Sequence, residues 1–176
     1  MMPLIKVLGI DPSLRHTGLA VLEYDSDTKI LQKPSRCMVI DNPQKFTGSE
    51  AILNMLDLLT DYKKDYDDID HVVIESPAAL FNAKFPASSL ITIGHISGGA
   101  VCIFGIQKSF LVRPVEWNRN RKKEVTHRKL EEIFGNAQEW NFYKKIKSEK
   151  NLEHVFDAVG MAYYWIKLMH MDEETD

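Results

Sequence analysis

Two short apolar runs, residues 4–10 (LIKVLGI) and 71–74 (HVVI), each stop at a carboxylate followed closely by proline, in Asp11-Pro12-Ser13 and Glu75-Ser76-Pro77. Proline lacks a backbone donor and cannot extend a sheet ladder, so each run reads as a strand that ends in a turn. This punctuation constrains the fold strongly, because it puts acidic side chains at strand ends. Residues 18–24 and 36–40 read as two more strands. The connections are short, with 25–29 a tight turn, which suits three antiparallel neighbours. Residues 110–115 predict a further strand, broken near its end by Pro114.

Helical patterns lie between these runs. Thr47-Gly48-Ser49-Glu50 has the S/T-x-x-E form of a capping box, and Ile52, Leu53, Leu56, Leu59 and Tyr62 repeat behind it at helical spacing to about residue 64. Residues 88–104 predict a second helix, with Gly94, Gly98, Gly99 and Ala100 leaving one side bare for close approach of another helix. A third covers 122–134 and stops at Gly135, and 138–146 predicts a shorter one. Asn151 caps a last helix running to about residue 170, with Val155, Phe156, Val159, Tyr163 and Ile166 on its apolar face. The acidic tail, 171–176, is expected to fray. The order describes an α/β fold: a mixed five-stranded sheet, three antiparallel strands then two parallel, flanked by helices. The 176 residues, 44% hydrophobic and 27% charged, fit one domain spanning 1–176. A chain this size buries roughly 70% of its extended surface and needs no disulfide or structural metal.

Cys37 and Cys102 show no ligand spacing, which argues against a zinc module and suits a reducing compartment, the cytoplasm. No apolar run approaches about 18 residues and no signal peptide opens the chain, so no membrane partner is expected. The net charge of -3 hides an uneven distribution: residues 108–150 carry 12 Lys/Arg against 6 Asp/Glu, while 1–107 carry 9 against 13 and 151–176 carry 1 against 6. The centre of the basic stripe, Trp117-Asn118-Arg119-Asn120-Arg121-Lys122-Lys123, mixes cations, amides and an indole as phosphate-contacting surfaces do. Its plain alternative is a solvated helix face. With an acidic total, nucleic acid would be met through one face only. The glycines form no phosphate-cradling motif, so no nucleotide cofactor is expected.

Asp11 and Glu75 at strand ends, with His154 and Asp157 in the last helix, are the candidate site. Strand ends are where sites assemble in such sheets, and a spacing of three puts His154 and Asp157 on one helix face. Three carboxylates and an imidazole suit Mg²⁺ or Mn²⁺ better than zinc. Two such ions about 4 Å apart activate a water and stabilise the leaving oxygen of a phosphodiester. Each residue also has a structural alternative: Asp11 as an Asx-turn residue, Glu75 as the start of a loop, His154 and Asp157 as a solvated face. His71 and His95 read as packing or surface residues.

Taken in order, Leu8-Gly9-Ile10-Asp11-Pro12-Ser13 with Thr17-Gly18-Leu19-Ala20-Val21, Val73-Ile74-Glu75, Asn82-Ala83-Lys84 through Ser89, Gly94, Gly98-Gly99-Ala100-Val101, and His154-Val155-Phe156-Asp157-Ala158 resemble the RuvC family of Holliday junction resolvases. The match spans most of the chain. It implies an RNase H-like fold and a homodimer that binds four-way DNA junctions and nicks two strands of like polarity with Mg²⁺, in recombination and repair. By the same resemblance Asp11, Glu75 and Asp157 are metal-binding carboxylates, and His154 holds a position that is histidine in some members and aspartate in others. Lys122 corresponds to the lysine that approaches the scissile phosphate. The loop between Val115 and Lys122 is shorter than the family's, so a second lysine's role passes to Arg119 or Arg121, with Lys123 also on the DNA-binding stripe. The region between Glu75 and Ser89 is longer, which leaves Phe81 and Phe85 as candidates for the aromatic that enters the junction. The compact length and divergent loop fit a phage-encoded member. Three alternatives stand beside this reading: a broader branched-DNA nuclease, a junction-binding protein without cleavage, and an actin-like or sugar-kinase-like ATP-binding protein suggested by the opening motif.

Overall fold

The computed structural model describes residues 4–77, 87–119, 121–143 and 148–170. Its order is β1 (Leu4–Asp11), β2 (His16–Asp25), β3 (Ile30–Leu31), β4 (Ser35–Asp41), α1 (Gly48–Lys63), β5 (His71–Glu75), α2 (Ala87–Phe104), β6 (Ser109–Val112), α3 (Pro114–Asn118), α4 (Lys123–Phe134) and α5 (Glu149–His170). The sheet runs β3-β2-β1-β5-β6, and β4 pairs directly with the His16 to Val21 stretch of β2, while the short β3 pairs with its end. β1, β2 and β4 are antiparallel, and β5 and β6 run parallel to β1. The expected five strands are all present. The sixth, β3, is two residues that close a hairpin after a turn in which the Asp25 carboxylate accepts from the backbone N–H groups of Asp27 and Thr28.

Strands here are apolar almost continuously because both sheet faces are covered. Leu8, Ile10, Leu19, Val21, Val72 and Ile74 pack with α1 and α2 residues such as Met55, Leu59 and Ile96. The alternate residues Val7, Ala20, Leu22 and Val73 pack with Val155, Val159 and Ala162 of α5 and Leu130 of α4. Period-two alternation therefore sends Asp11 and Glu75, next after Ile10 and Ile74, toward the α5 side.

Several local expectations are corrected. Thr47 stands at the α1 N-cap, but its side chain makes no capping hydrogen bond. The reciprocal contact is found instead at α3, where Glu116 reaches back to accept from the Arg113 N–H at 2.6 Å. Pro114 does not break a strand; it opens that helix, where its missing donor costs nothing. Residues 138–146 are not a helix as far as they are described: after one 3₁₀ turn, Ala137–Glu139, Trp140 is buried and Phe142 bridges to Cys37 of β4. α5 begins two residues before Asn151, and the Ser148 hydroxyl accepts from the Asn151 N–H. α2 is an 18-residue helix of mean hydropathy 1.5, long and apolar enough to cross a membrane by length and composition alone, which the reading of the sequence as free of such runs had not anticipated. Its Ile96, Ser97, Ala100 and Phe104 are buried in the fold. Phe81, Phe85 and the tail at 171–176 lie outside the described residues.

Candidate active site

Two glycines let α5 lie directly on the sheet. A Cβ on Gly9 would sit 1.9 Å from the Ala158 carbonyl oxygen, and one on Gly18 would sit 2.2 Å from that of His154. Gly18 is also the antiparallel partner of Asp11. The helix is thus pressed onto β1 and β2 at the strand ends, and His154 and Asp157 arrive beside Asp11. The parallel pairing Ile10↔Ile74 brings Glu75 to the neighbouring strand end, where the Ser97 hydroxyl lies 2.9 Å from the Glu75 carbonyl oxygen. The turn after Asp11 is closed by Ser13 and Thr17, whose backbone and hydroxyl groups exchange hydrogen bonds of 2.9 and 3.1 Å. The Asp11 carboxylate is thereby left for the site: its Oδ2 lies 2.6 Å from His154 Nδ1.

The three carboxylates differ in surroundings. Burial raises the Asp11 carboxyl, with the Asp157 charge adding to the rise, against the lowering effect of His154. Glu75 is pushed up to about 8, by burial first and then by the Asp11 charge; the Trp117 indole, donating to Oε2 at 3.1 Å, works the other way. Burial would raise Asp157 too, but His127 and Lys123 hold it below the usual carboxylate range. Lys123 Nζ lies 2.6 Å from Asp157 Oδ2 and His127 Nε2 3.4 Å from Oδ1. The His127 ring is stacked on Phe156 at 4.4 Å between centroids.

The structure therefore brings together Asp11, Glu75, His154 and Asp157, as the sequence reading grouped them. It places Lys122 elsewhere: Lys122 is the exposed N-cap of α4, and the lysine against a site carboxylate is its neighbour Lys123. Arg119 and Arg121 border a cavity on the far side of Trp117. Sequence reasoning missed Trp117 and His127 as neighbours of the carboxylates. One signal was available for His127: Lys123 and His127 are four apart, on one face of α4. None pointed to Trp117, whose indole reaches Glu75 only because Gly160 gives it bare backbone to lie on; a Cβ there would sit 2.6 Å from the ring.

Among the described residues no three His, Cys, Asp or Glu side chains form a preassembled cation site. The chemistry of the donor set nevertheless fits a divalent cation. Asp11 and Glu75 each hold their protons more tightly, through burial first and through a neighbouring carboxylate after it, and a cation of charge two offsets both the buried charge and the repulsion through hard oxygen ligands.

No protein-family model matches the chain. It is 23% identical over 133 residues to the crossover junction endodeoxyribonuclease RuvC of Ehrlichia chaffeensis, covering 73% of this chain and 82% of that one. The enzyme of the same name from Ehrlichia canis is 22% identical over 134 residues, with the same coverage. Among solved structures, Thermus thermophilus RuvC in complex with a Holliday junction substrate matches with a TM-score of 0.65 at 16% identity, over 94% of this chain and 98% of that one. The fowlpox virus Holliday junction resolvase matches with a TM-score of 0.53 at 15% identity, over 94% and 99%. In sequence and in the order of its elements the chain is similar to these RuvC enzymes, and its fold is the one they share.

Proposed function

We propose that the protein is a metal-dependent endonuclease that resolves four-way DNA junctions by paired nicks, acting as a homodimer. The observation that carries this reading is the convergence of Asp11, Glu75, His154 and Asp157 from two strand ends and one helix, beside a basic segment, in a chain that resembles junction resolvases over most of its length. Asp11, Glu75, Asp157 and His154 would hold Mg²⁺, with Mn²⁺ as a substitute, two ions per site being the arrangement that suits phosphodiester hydrolysis. The bound metal supplies an activated water and charge stabilisation at the phosphodiester. The chain's own groups do the rest. Asp11 is fixed by His154, Glu75 is oriented by Trp117, and Lys123 neutralises Asp157 before DNA arrives. The Lys123 ammonium, held at the site by Asp157, would offset negative charge that develops on the phosphodiester in the transition state. Lys122, Arg119 and Arg121 extend the positive surface along which the strand lies.

The homodimer reading rests on α2. Ile91, His95, Gly98 and Cys102, spaced along one side of that helix, are exposed while its opposite side is buried. A two-fold dimer presents two sites to a junction of matching symmetry.

The test is cleavage of a labelled four-way junction beside linear duplex of the same sequence, with Mg²⁺ and with EDTA. Paired, metal-dependent nicks on opposing strands of the junction alone are expected. Asp11→Asn, Glu75→Gln and Asp157→Asn should each lose cleavage and keep junction binding, and Lys123→Ala should slow cleavage more than Lys122→Ala. Wild-type rates in any of the three carboxylate variants would refute the site, and binding without nicks would leave a junction-binding protein.

A further inference from the structure

Between α3, α4 and α5 the surface opens into a cavity of about 360 Å³, within the size range of small-ligand pockets. The Trp117 indole and the Tyr164 ring form its flat apolar walls, and Arg119, Arg121 and Lys129 supply cations. One carboxylate, Glu132, also borders it and pairs with Arg128 at 3.6 Å. Thr126, 8% exposed, lines the cavity, and its buried hydroxyl has no hydrogen-bond partner among the described residues. A threonine in a helix ordinarily bonds back to a carbonyl four residues earlier; a buried hydroxyl without a partner is costly and calls for an explanation.

Flat aromatic walls, several guanidinium and ammonium groups, and one unsatisfied hydroxyl make a combined demand. A bare phosphate leaves the aromatics idle, and an apolar ligand leaves the cations and Thr126 idle. A nucleoside monophosphate unit uses all three: base on aromatic face, phosphate on cations, base edge on hydroxyl. The position of the cavity sharpens this. Trp117 is both its wall and the donor to Glu75, so one indole separates it from the carboxylates.

We propose that this cavity seats one unstacked nucleotide, supplied by the DNA strand next to the bond being cut. The inference rests on the junction-cleavage reading for the source of that nucleotide and on the cavity alone for its chemistry.

Two probes separate these. The first is a four-way junction in which single abasic residues step through the cut strand, with binding measured in EDTA. The second is thymidine monophosphate alone, measured by calorimetry. For the wild-type protein one abasic position near the crossover should weaken binding about tenfold; in Tyr164→Ala that position should no longer matter. Thr126→Val keeps the shape of the side chain and removes only an unpartnered group, so it should fold as well as wild type while losing preference among bases at that position. A flat scan together with thymidine monophosphate binding that Tyr164→Ala abolishes would assign the cavity to a free nucleotide and overturn the strand as its source. A flat scan with no such binding would overturn the proposal altogether, while normal nicking in the same samples would leave the junction reading intact. Conversely, thymidine monophosphate binding lost in Tyr164→Ala, in a protein that neither binds nor nicks junctions, would refute the junction reading and keep the cavity's chemistry.

Discussion

At the scale of single residues, the site is a problem of buried negative charge. Glu75 titrates at about 8 in the folded protein against 4.5 when free. The folded state therefore holds its proton more tightly than the unfolded state, and the associated stability is complete below pH 4.5 and is lost as pH rises through about 8. The melting temperature of the protein in EDTA should fall across that interval. Asp11, also raised, contributes in the same direction. Glu75→Gln, neutral at every pH, should flatten the slope and melt above wild type at the alkaline end; an unchanged slope in that variant would remove Glu75 as its source. The identities of Asp11, Glu75, His154 and Asp157 were legible in the sequence because strand ends and a spacing of three are local patterns. The choice between Lys122 and Lys123 was not, since adjacent positions on a helix point about 100° apart and only the docking of α4 decides which one faces Asp157.

At the scale of elements, the site is made by how α5 meets β1 and β2. The apolar face of α5 was readable from its periodicity, as were the five main strands. The role of Gly9 and Gly18 was not, because a glycine in a strand signals close approach without naming what approaches. Gly18→Ala puts a Cβ 2.2 Å from the His154 carbonyl oxygen, and backbone cannot yield as a side-chain tip does. The variant should lose at least about 2 kcal/mol of stability, measured by urea unfolding, and should lose activity out of proportion, because the helix that retreats carries two of the four site residues. The missed helix α3 and the lack of an α-helix over 138–143, the described part of the expected one, have one explanation. Packing of Trp117 against Gly160 and burial of Trp140 in the core outweigh local propensity.

At the scale of the whole molecule, the two faces of the sheet divide the work. The α5 side builds the site, and the α1–α2 side carries the exposed stripe of α2. Ile91, 59% exposed at the N-terminal end of that stripe, is the residue to charge. Ile91→Glu should shift the protein to monomer in sedimentation, keep the circular dichroism of the folded chain, and convert paired nicks into isolated ones; a dimer that survives the change would move the interface elsewhere.

Asp11 and His154 are 143 residues apart in the chain and 2.6 Å apart in space. A partly folded copy, with either β1 or α5 loose, has its carboxylates scattered along a mobile polymer and no common point for a cation. On the proposed function, cutting power and native structure would consequently appear and disappear together, and DNA would be spared from misfolded copies without any separate inhibitor.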